Sequence, residues 1–204
     1  MWPDSIASRR KGILLIVSAP SGAGKTTLIK NLLKFFPEIA LSVSCTTRAP
    51  RPREVAGKDY RFVTAKEFFE LRSRRGFAEW AKVHGALYGT PRAPLERRLH
   101  RGRDVLLDID VQGARKIKRQ HPGAVSIFIL PPSLSELEQR LAHRGTDRRE
   151  TIRRRLENAR REIRELVRYD YVVVNRKLRR AVESAKAIVA AERLRVSRLK
   201  SFSR

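Results

Sequence analysis

The chain has 204 residues, 41% of them hydrophobic, which suffices for one well-buried core and excludes two generous domains. Its 46 Lys and Arg against 21 Asp and Glu leave a net charge of +25, so the expected partners are anionic: nucleotide, nucleic acid or a membrane surface. A single cysteine, Cys45, excludes an internal disulfide and a cysteine-built metal site, and cytoplasm is the expected compartment.

Residues 1–12 are polar and basic without periodicity and read as a loose leader. The basic patch ahead of residues 13–17 imitates a signal peptide, but the apolar run is only five residues long, and no other run is long enough to span a bilayer. Residues 13–17 read instead as a central parallel strand. After a glycine-rich loop, residues 25–36 place Leu28, Ile29, Leu32, Leu33 and Phe36 on one helical stripe, which Pro37 ends.

Between residues 41 and 88 the pattern changes to short alternating pieces, "LSVSC", "YRFV" and "AEWAKV", with a helix "AKEFFELRSRRG" closed by Gly76. This predicts a small inserted lobe. Thr90 and Pro91 read as a cap and first turn of a helix running to about Gly102. Strands are expected at 104–110 and 124–130, separated by a basic helix at 111–120. Ser133 and Glu136 match a capping box. An arginine-rich helix over about 150–168, a strand at 171–174 and a final helix over about 178–194 complete the chain. Strands alternating with helices predict an α/β fold: a parallel sheet with helices on both faces.

The segment Ala19, Pro20, Ser21, Gly22, Ala23, Gly24, Lys25, Thr26, Thr27 joins the first strand to the first helix, the context a nucleoside triphosphate loop requires. Backbone N–H groups and the helix N-terminus suit phosphates, Lys25 neutralises the β and γ groups, and the Thr26 hydroxyl can ligate Mg²⁺. The generic pattern has glycine where Ala19 stands, a change that strains the loop only if φ there is positive. Asp108, ending "VLLD", is placed to orient Mg²⁺ water. Asp110, two residues on, points to the same face if the strand continues, or else caps the next helix.

The blocks "SAPSGAGKTTL", "SVSCTTRAPRPREVAGKDYRFV", "AEWAKVHGALYGTP", "DVLLDIDVQGARKIK", "RLAHRGTD" and "YDYVVVN", in this order, resemble the bacterial guanylate kinases. The resemblance implies a P-loop kinase fold over 13–192, with a core (13–41, 91–139, 159–192), a mixed β/α GMP-binding lobe (42–90) and a mobile lid (140–158), flanked by basic tails at 1–12 and 193–204. It implies ATP and GMP as substrates and Mg²⁺ as cofactor. Arg48, Arg51 and the hydroxyls of Tyr60 and Tyr88 would cage the GMP phosphate, on a loop kept extended by Pro50 and Pro52. Glu79 would accept guanine N1–H and the exocyclic amine, with Ser44 and Thr90 at O6 and N7, and Asp110 and Asp108 as further contacts on the GMP side. Arg140, Arg144 and Arg155 match the lid arginines, and Asn175 matches a residue near adenine. Arg53 is expected to face water.

His84, His100, His121 and His143 lack metal-ligand spacing. Two other classes stay in view: a peptide-binding module of the same fold, against which Lys25, Thr26 and the lid arginines argue, and a nucleic-acid-binding ATPase, for which charge is the only sign. A ribose bisphosphate kinase would have no use for Ser44, Glu79 and Thr90 together. Nonspecific RNA or polyanion contact through the basic surface is expected at low salt.

Overall fold

In the computed structural model, which describes residues 10–52, 54–83, 85–143 and 149–198, the strand Leu14–Ser18 (β1) is buried along its whole length. It is the middle of a five-stranded sheet whose order is Ala40–Leu41 (β2), Val105–Asp108 (β7), β1, Val125–Leu130 (β8) and Tyr171–Val174 (β9). All neighbours pair parallel. Alternation along β1 divides it between two cores. Leu15 and Val17 join Leu28, Ile29 and Leu32 of the helix Lys25–Phe35 (α1) and Ala181, Val182, Ala185 and Val189 of Leu178–Arg193 (α7). Leu14 and Ile16 join Leu95 of Arg92–His100 (α3) and Ala114 and Ile117 of Val111–Gln120 (α4). Leu15 is 0% exposed, so Leu15→Ala would cost about 2–5 kcal/mol in lost transfer energy and cavity.

The register of β1 on β7 pairs Val17 with Asp108, so both strands end side by side. The connection leaving the carboxyl end of β1 runs toward β2 on one side of the sheet and that leaving β8 runs toward β9 on the other, the arrangement that opens a ligand crevice there. The phosphate loop follows at once.

A second, mixed sheet has the order Arg61–Phe62 (β4), Cys45–Thr46 (β3), Ala86–Pro91 (β6), Phe77–Val83 (β5). Its small core is Cys45, Phe68 and Phe77, with Phe68 of the helix Ala65–Ser73 (α2) stacked on Phe77 at 4.5 Å. Thr64 and Glu67 close a reciprocal capping box that starts α2. Leu134–Ala142 (α5) and Arg149–Arg164 (α6) pack through Leu137, Leu141 and Ala159, and a 3₁₀ turn at Glu165–Arg168 leads to β9.

Several local expectations change. "LSVSC" is not one strand: its ends belong to different sheets, β2 and β3, and Ser42–Ser44 carries the chain from one to the other. Thr90 does not cap a helix. Antiparallel pairing of Glu79 with Thr90 and Phe77 with Pro91 extends β6 through both residues, and α3 begins at Arg92 without a side-chain cap. After α2, the left-handed residue is Arg75 (φ 53), not Gly76. Gly76 is needed for space instead, since a Cβ there would lie 2.9 Å from the Leu71 carbonyl oxygen. The Ser133 hydroxyl accepts from Glu136 N–H, but the Glu136 carboxylate turns to Arg140 at 2.5 Å.

Residues 10–12 are not loose. Asp104, 2% exposed, receives Arg10 at 2.5 and 2.7 Å, Arg193 at 2.8 and 3.0 Å and Ile13 N–H at 2.9 Å. Burial opposes its ionisation, but these donors outweigh burial and hold its carboxyl below the usual range. Lys11 N–H also donates to the Arg198 carbonyl at 2.8 Å, so both ends of the described chain are tied to the sheet.

Candidate functional site

The phosphate loop turns on Gly22 (φ 95) and Gly24 (φ 89), conformations that L side chains rarely adopt. Among described residues other than glycine, only Arg75 has positive φ, so Ala19 carries no such strain and its departure from the generic pattern is accommodated. The buried Asn175 amide, at the end of β9, donates to the Ala23 carbonyl at 2.8 Å. A Cβ on Gly24 would meet that amide at 2.5 Å, so Asn175 braces the loop from beneath. Asn175 is absent from the lining of the cleft described next.

Lys25 Nζ lies 2.7 Å from Asp108 Oδ1 and donates to the Ile109 carbonyl at 3.2 Å. Burial works against the Lys25 charge, but Asp108 outweighs it and raises the amine's pKa. Lys25 is therefore a fixed cation at neutral pH. The exposed Thr26 and Thr27 start α1 beside it.

A cleft of about 280 Å³ runs from this loop to the small sheet. Loop residues 19–22 and 24–27 form one wall, with Asp108 and Asp110 from the end of β7 and the turn after it. Ser44, Arg48, Arg51, Tyr60, Glu79 and Tyr88 form the other. Residues from position 19 to position 110 of the chain thus face one space.

Asp110 caps α4, its Oδ1 accepting Gly113 N–H at 2.9 Å, while its carboxylate still lines the cleft. The expectation that Asp108 and Asp110 share a strand face is corrected: β7 ends at Asp108, and both reach the cleft because the chain turns there.

On the small sheet, Arg48 is held by several partners. Its fork pairs with both oxygens of Glu54 at 2.6 Å each, Nε donates to the Tyr88 hydroxyl at 3.1 Å, and the guanidinium covers the Tyr60 ring at 4.9 Å. Glu54 also accepts Arg51 N–H at 2.8 Å. The Glu54 hydrogen bonds raise the Arg48 pKa, and Arg48 in turn lowers that of Glu54. The pair is ionised throughout the ordinary pH range.

Glu79, on β5, is 5% exposed and accepts the Thr90 hydroxyl at 2.6 Å. Burial pushes its carboxyl up to about 7; the Thr90 bond opposes the shift and Asp110 adds to it. Thr90 is 0% exposed and meets the cleft only through Glu79. Lys116 donates to the Trp80 carbonyl, tying α4 to β5 at this point.

Arg140 spans Glu136 at 2.5 Å and the Asn175 carbonyl at 3.0 Å, fixing α5 to the end of β9. Arg155 lies on α6, and Arg144, Arg53 and His84 lie outside the described residues. Cys45 is fully buried.

Sequence reasoning missed two acids. Glu54 stands three residues after Arg51, a spacing that signals nothing until the loop folds back on Arg48. Glu162 lines the cleft from α6, and burial pushes its carboxyl up to about 7 despite Lys25. It follows Arg155 by seven residues, two helical turns, so a helical reading of α6 puts both on one face.

The description "Guanylate kinase" belongs to the family model that matches residues 11–192. Among curated relatives, a guanylate kinase from Syntrophotalea carbinolica is 54% identical over 193 residues, covering 95% of this chain and 92% of its own. One from Thermotoga maritima is 47% identical over 188 residues, covering 92% and 91%. The crystal structure of guanylate kinase from Anaplasma phagocytophilum superposes with a TM-score of 0.80 at 39% identity, over 93% of this chain and 90% of that one. With phosphate loop, small sheet and cleft arranged on a matching fold, the chain belongs to the guanylate kinase family of nucleoside monophosphate kinases.

Proposed function

We propose that the cleft transfers the γ-phosphoryl group of ATP to the phosphate of GMP, giving ADP and GDP, in purine nucleotide metabolism. One observation carries the residue assignment: the phosphate loop with Lys25 and the Arg48, Arg51, Tyr60, Tyr88 cluster face each other across a single cleft that ends at the buried acid Glu79. A donor phosphate on the loop and an acceptor phosphate on the cluster would meet in line. Such transfer needs positioning and positive charge more than covalent chemistry.

In this reading the backbone amides of residues 19–27 and the N-terminus of α1 hold the ATP phosphates, and Lys25 draws off charge as the γ group departs. Arg51, the tyrosine hydroxyls and what remains of the Arg48 fork fix the GMP phosphate. Glu79 accepts guanine N1–H and the exocyclic amine, which adenine lacks in that pairing, while Ser44 completes the base contacts, Thr90 acts through the Glu79 carboxylate it holds, and Asp108 and Asp110 line the GMP side. An adenine would leave a buried carboxylate unpaired, costing about 1–3 kcal/mol or more. Arg140, Arg144 and Arg155 supply the lid charge, and Asn175 acts on ATP through the loop it braces.

Mg²⁺ fits the donor set in one way. Among the described residues no group of three or more His, Cys, Asp or Glu could hold a metal. The exposed Thr26 hydroxyl and the Asp108 carboxylate are hard oxygen donors, sufficient for Mg²⁺ together with nucleotide phosphate oxygens. Bound there, the ion would neutralise charge on the transferring phosphates. A cytoplasmic setting accords with this reading, and no described helix is long and apolar enough to cross a membrane. Exposed Arg176, Lys177, Arg179 and Arg180 around the start of α7 suit loose contact with RNA or another polyanion.

The base assignment is tested by titrating GMP and AMP calorimetrically into the protein and into Glu79→Gln. Preference for GMP should collapse in the variant; an undiminished preference would remove Glu79 from the reading role.

A further inference from the structure

Gly113 is a glycine without a backbone reason. It occupies the first full turn of α4, three residues after the Asp110 cap, and is not among the residues of positive φ. Helices favour alanine over glycine, and the one hydrogen bond Gly113 makes to Asp110 comes from its N–H, which any residue but proline supplies. What a side chain there would meet is the Glu79 carboxylate. An added Cβ would lie 2.6 Å from Oε2 and 3.0 Å from the carboxyl carbon of Glu79, and 3.4 Å from Asp110 Oδ1. Real Cβ contacts essentially never fall below 3.0 Å.

Glu79 has little freedom to move away. It is buried, and its other oxygen is held by Thr90 at 2.6 Å across the β5–β6 pair. Its seat is thus bounded by a hydroxyl on one side and by the bare Cα of Gly113 on the other.

We propose that Gly113 is a positioning residue for base specificity: the absent methyl group is the space in which the Glu79 carboxylate sits beside Asp110. The inference rests on the reading of Glu79 as the guanine acceptor. Gly113 touches no phosphate in this account. It positions the base-reading acid, so a methyl added here should displace that acid without disturbing the phosphate loop.

The test is Gly113→Ala beside Glu79→Gln, assayed by ADP release with GMP or AMP as acceptor and with ATP varied separately. Gly113→Ala should raise KM for GMP about tenfold and lower the GMP-over-AMP ratio of kcat/KM by a similar factor, the value of one charged hydrogen bond, while KM for ATP stays unchanged. If Glu79→Gln loses selectivity and Gly113→Ala keeps it, this inference fails and the guanine reading stands. If both keep it, the guanine reading itself is wrong. Should Gly113→Ala not fold, the double variant Gly113→Ala with Glu79→Asp decides: the shorter acid clears the methyl group, so recovered folding supports the contact, and a double variant that also fails to fold overturns it.

Discussion

Replacing Glu54 by glutamine should weaken GMP binding without slowing the chemistry. The carboxylate holds Arg48 by two bonds of 2.6 Å and the Arg51 amide by one of 2.8 Å, at a site where its side chain is only 18% exposed. Glutamine keeps the shape and one acceptor but loses the charge and the second acceptor. A charge-assisted bond of this kind contributes about 1.5–3 kcal/mol, and partial exposure trims the loss to about 2 kcal/mol. In the variant that energy must be found when GMP orders the loop, which corresponds to a rise of about 30-fold in KM for GMP. Steady-state ADP release at saturating ATP measures it, with kcat and KM for ATP as internal controls. A fall in KM for GMP would overturn this role, because it would show that Glu54 competes with the phosphate for Arg48 instead of presetting it.

Three further outcomes are expected. KM for GMP should rise as pH falls below about 7, because the raised carboxyl of Glu79 protonates and ceases to accept from guanine; the dependence should weaken in Glu79→Gln to what the GMP phosphate alone contributes, and its full survival would remove Glu79 as the titrating group. The same shift has a sign for stability: between the unfolded carboxyl's pKa and about 7 the folded state holds the extra proton, so stability falls as pH rises, and Glu79→Gln should melt higher than the parent at pH 8. Asp104→Asn leaves Arg10 and Arg193 without their shared anion and should cost about 3 kcal/mol in urea unfolding at pH 7. The Asp104 carboxyl is lowered in the fold, so its contribution is present above the unfolded pKa and is lost as pH falls through the folded one; the two proteins should converge in acid.

What the chain reveals before folding follows the range of the forces involved. The α1 stripe, the β1 run and the phosphate loop are local patterns, written in consecutive residues, and they appear where periodicity puts them. Strands of two residues carry no period, so β2 and β3 were indistinguishable from one strand until their partners, β7 and β6, separated them. Thr90 followed by Pro91 satisfies a helix-start pattern, but cross-strand pairing with β5 is a long-range term that the pattern does not contain. Glu54, Glu162 and Gly113 share that difficulty. Glu162 and Gly113 acquire meaning from a side chain in another element, Lys25 and Glu79 in turn, and Glu54 from Arg48, six residues back in a loop that must first fold on itself. Asp104 looked like the first residue of a strand and is instead the anchor on which Arg10 and Arg193 converge.

The most direct measurement is coupled ADP release with ATP and Mg²⁺ and each of GMP, AMP, UMP and CMP in turn, run beside Lys25→Ala. Turnover confined to GMP, with GDP as the second product and no turnover in Lys25→Ala, is the result expected from a loop that holds ATP and a cleft that reads guanine. Folded protein that releases no ADP with GMP, or that uses AMP equally well, would contradict it.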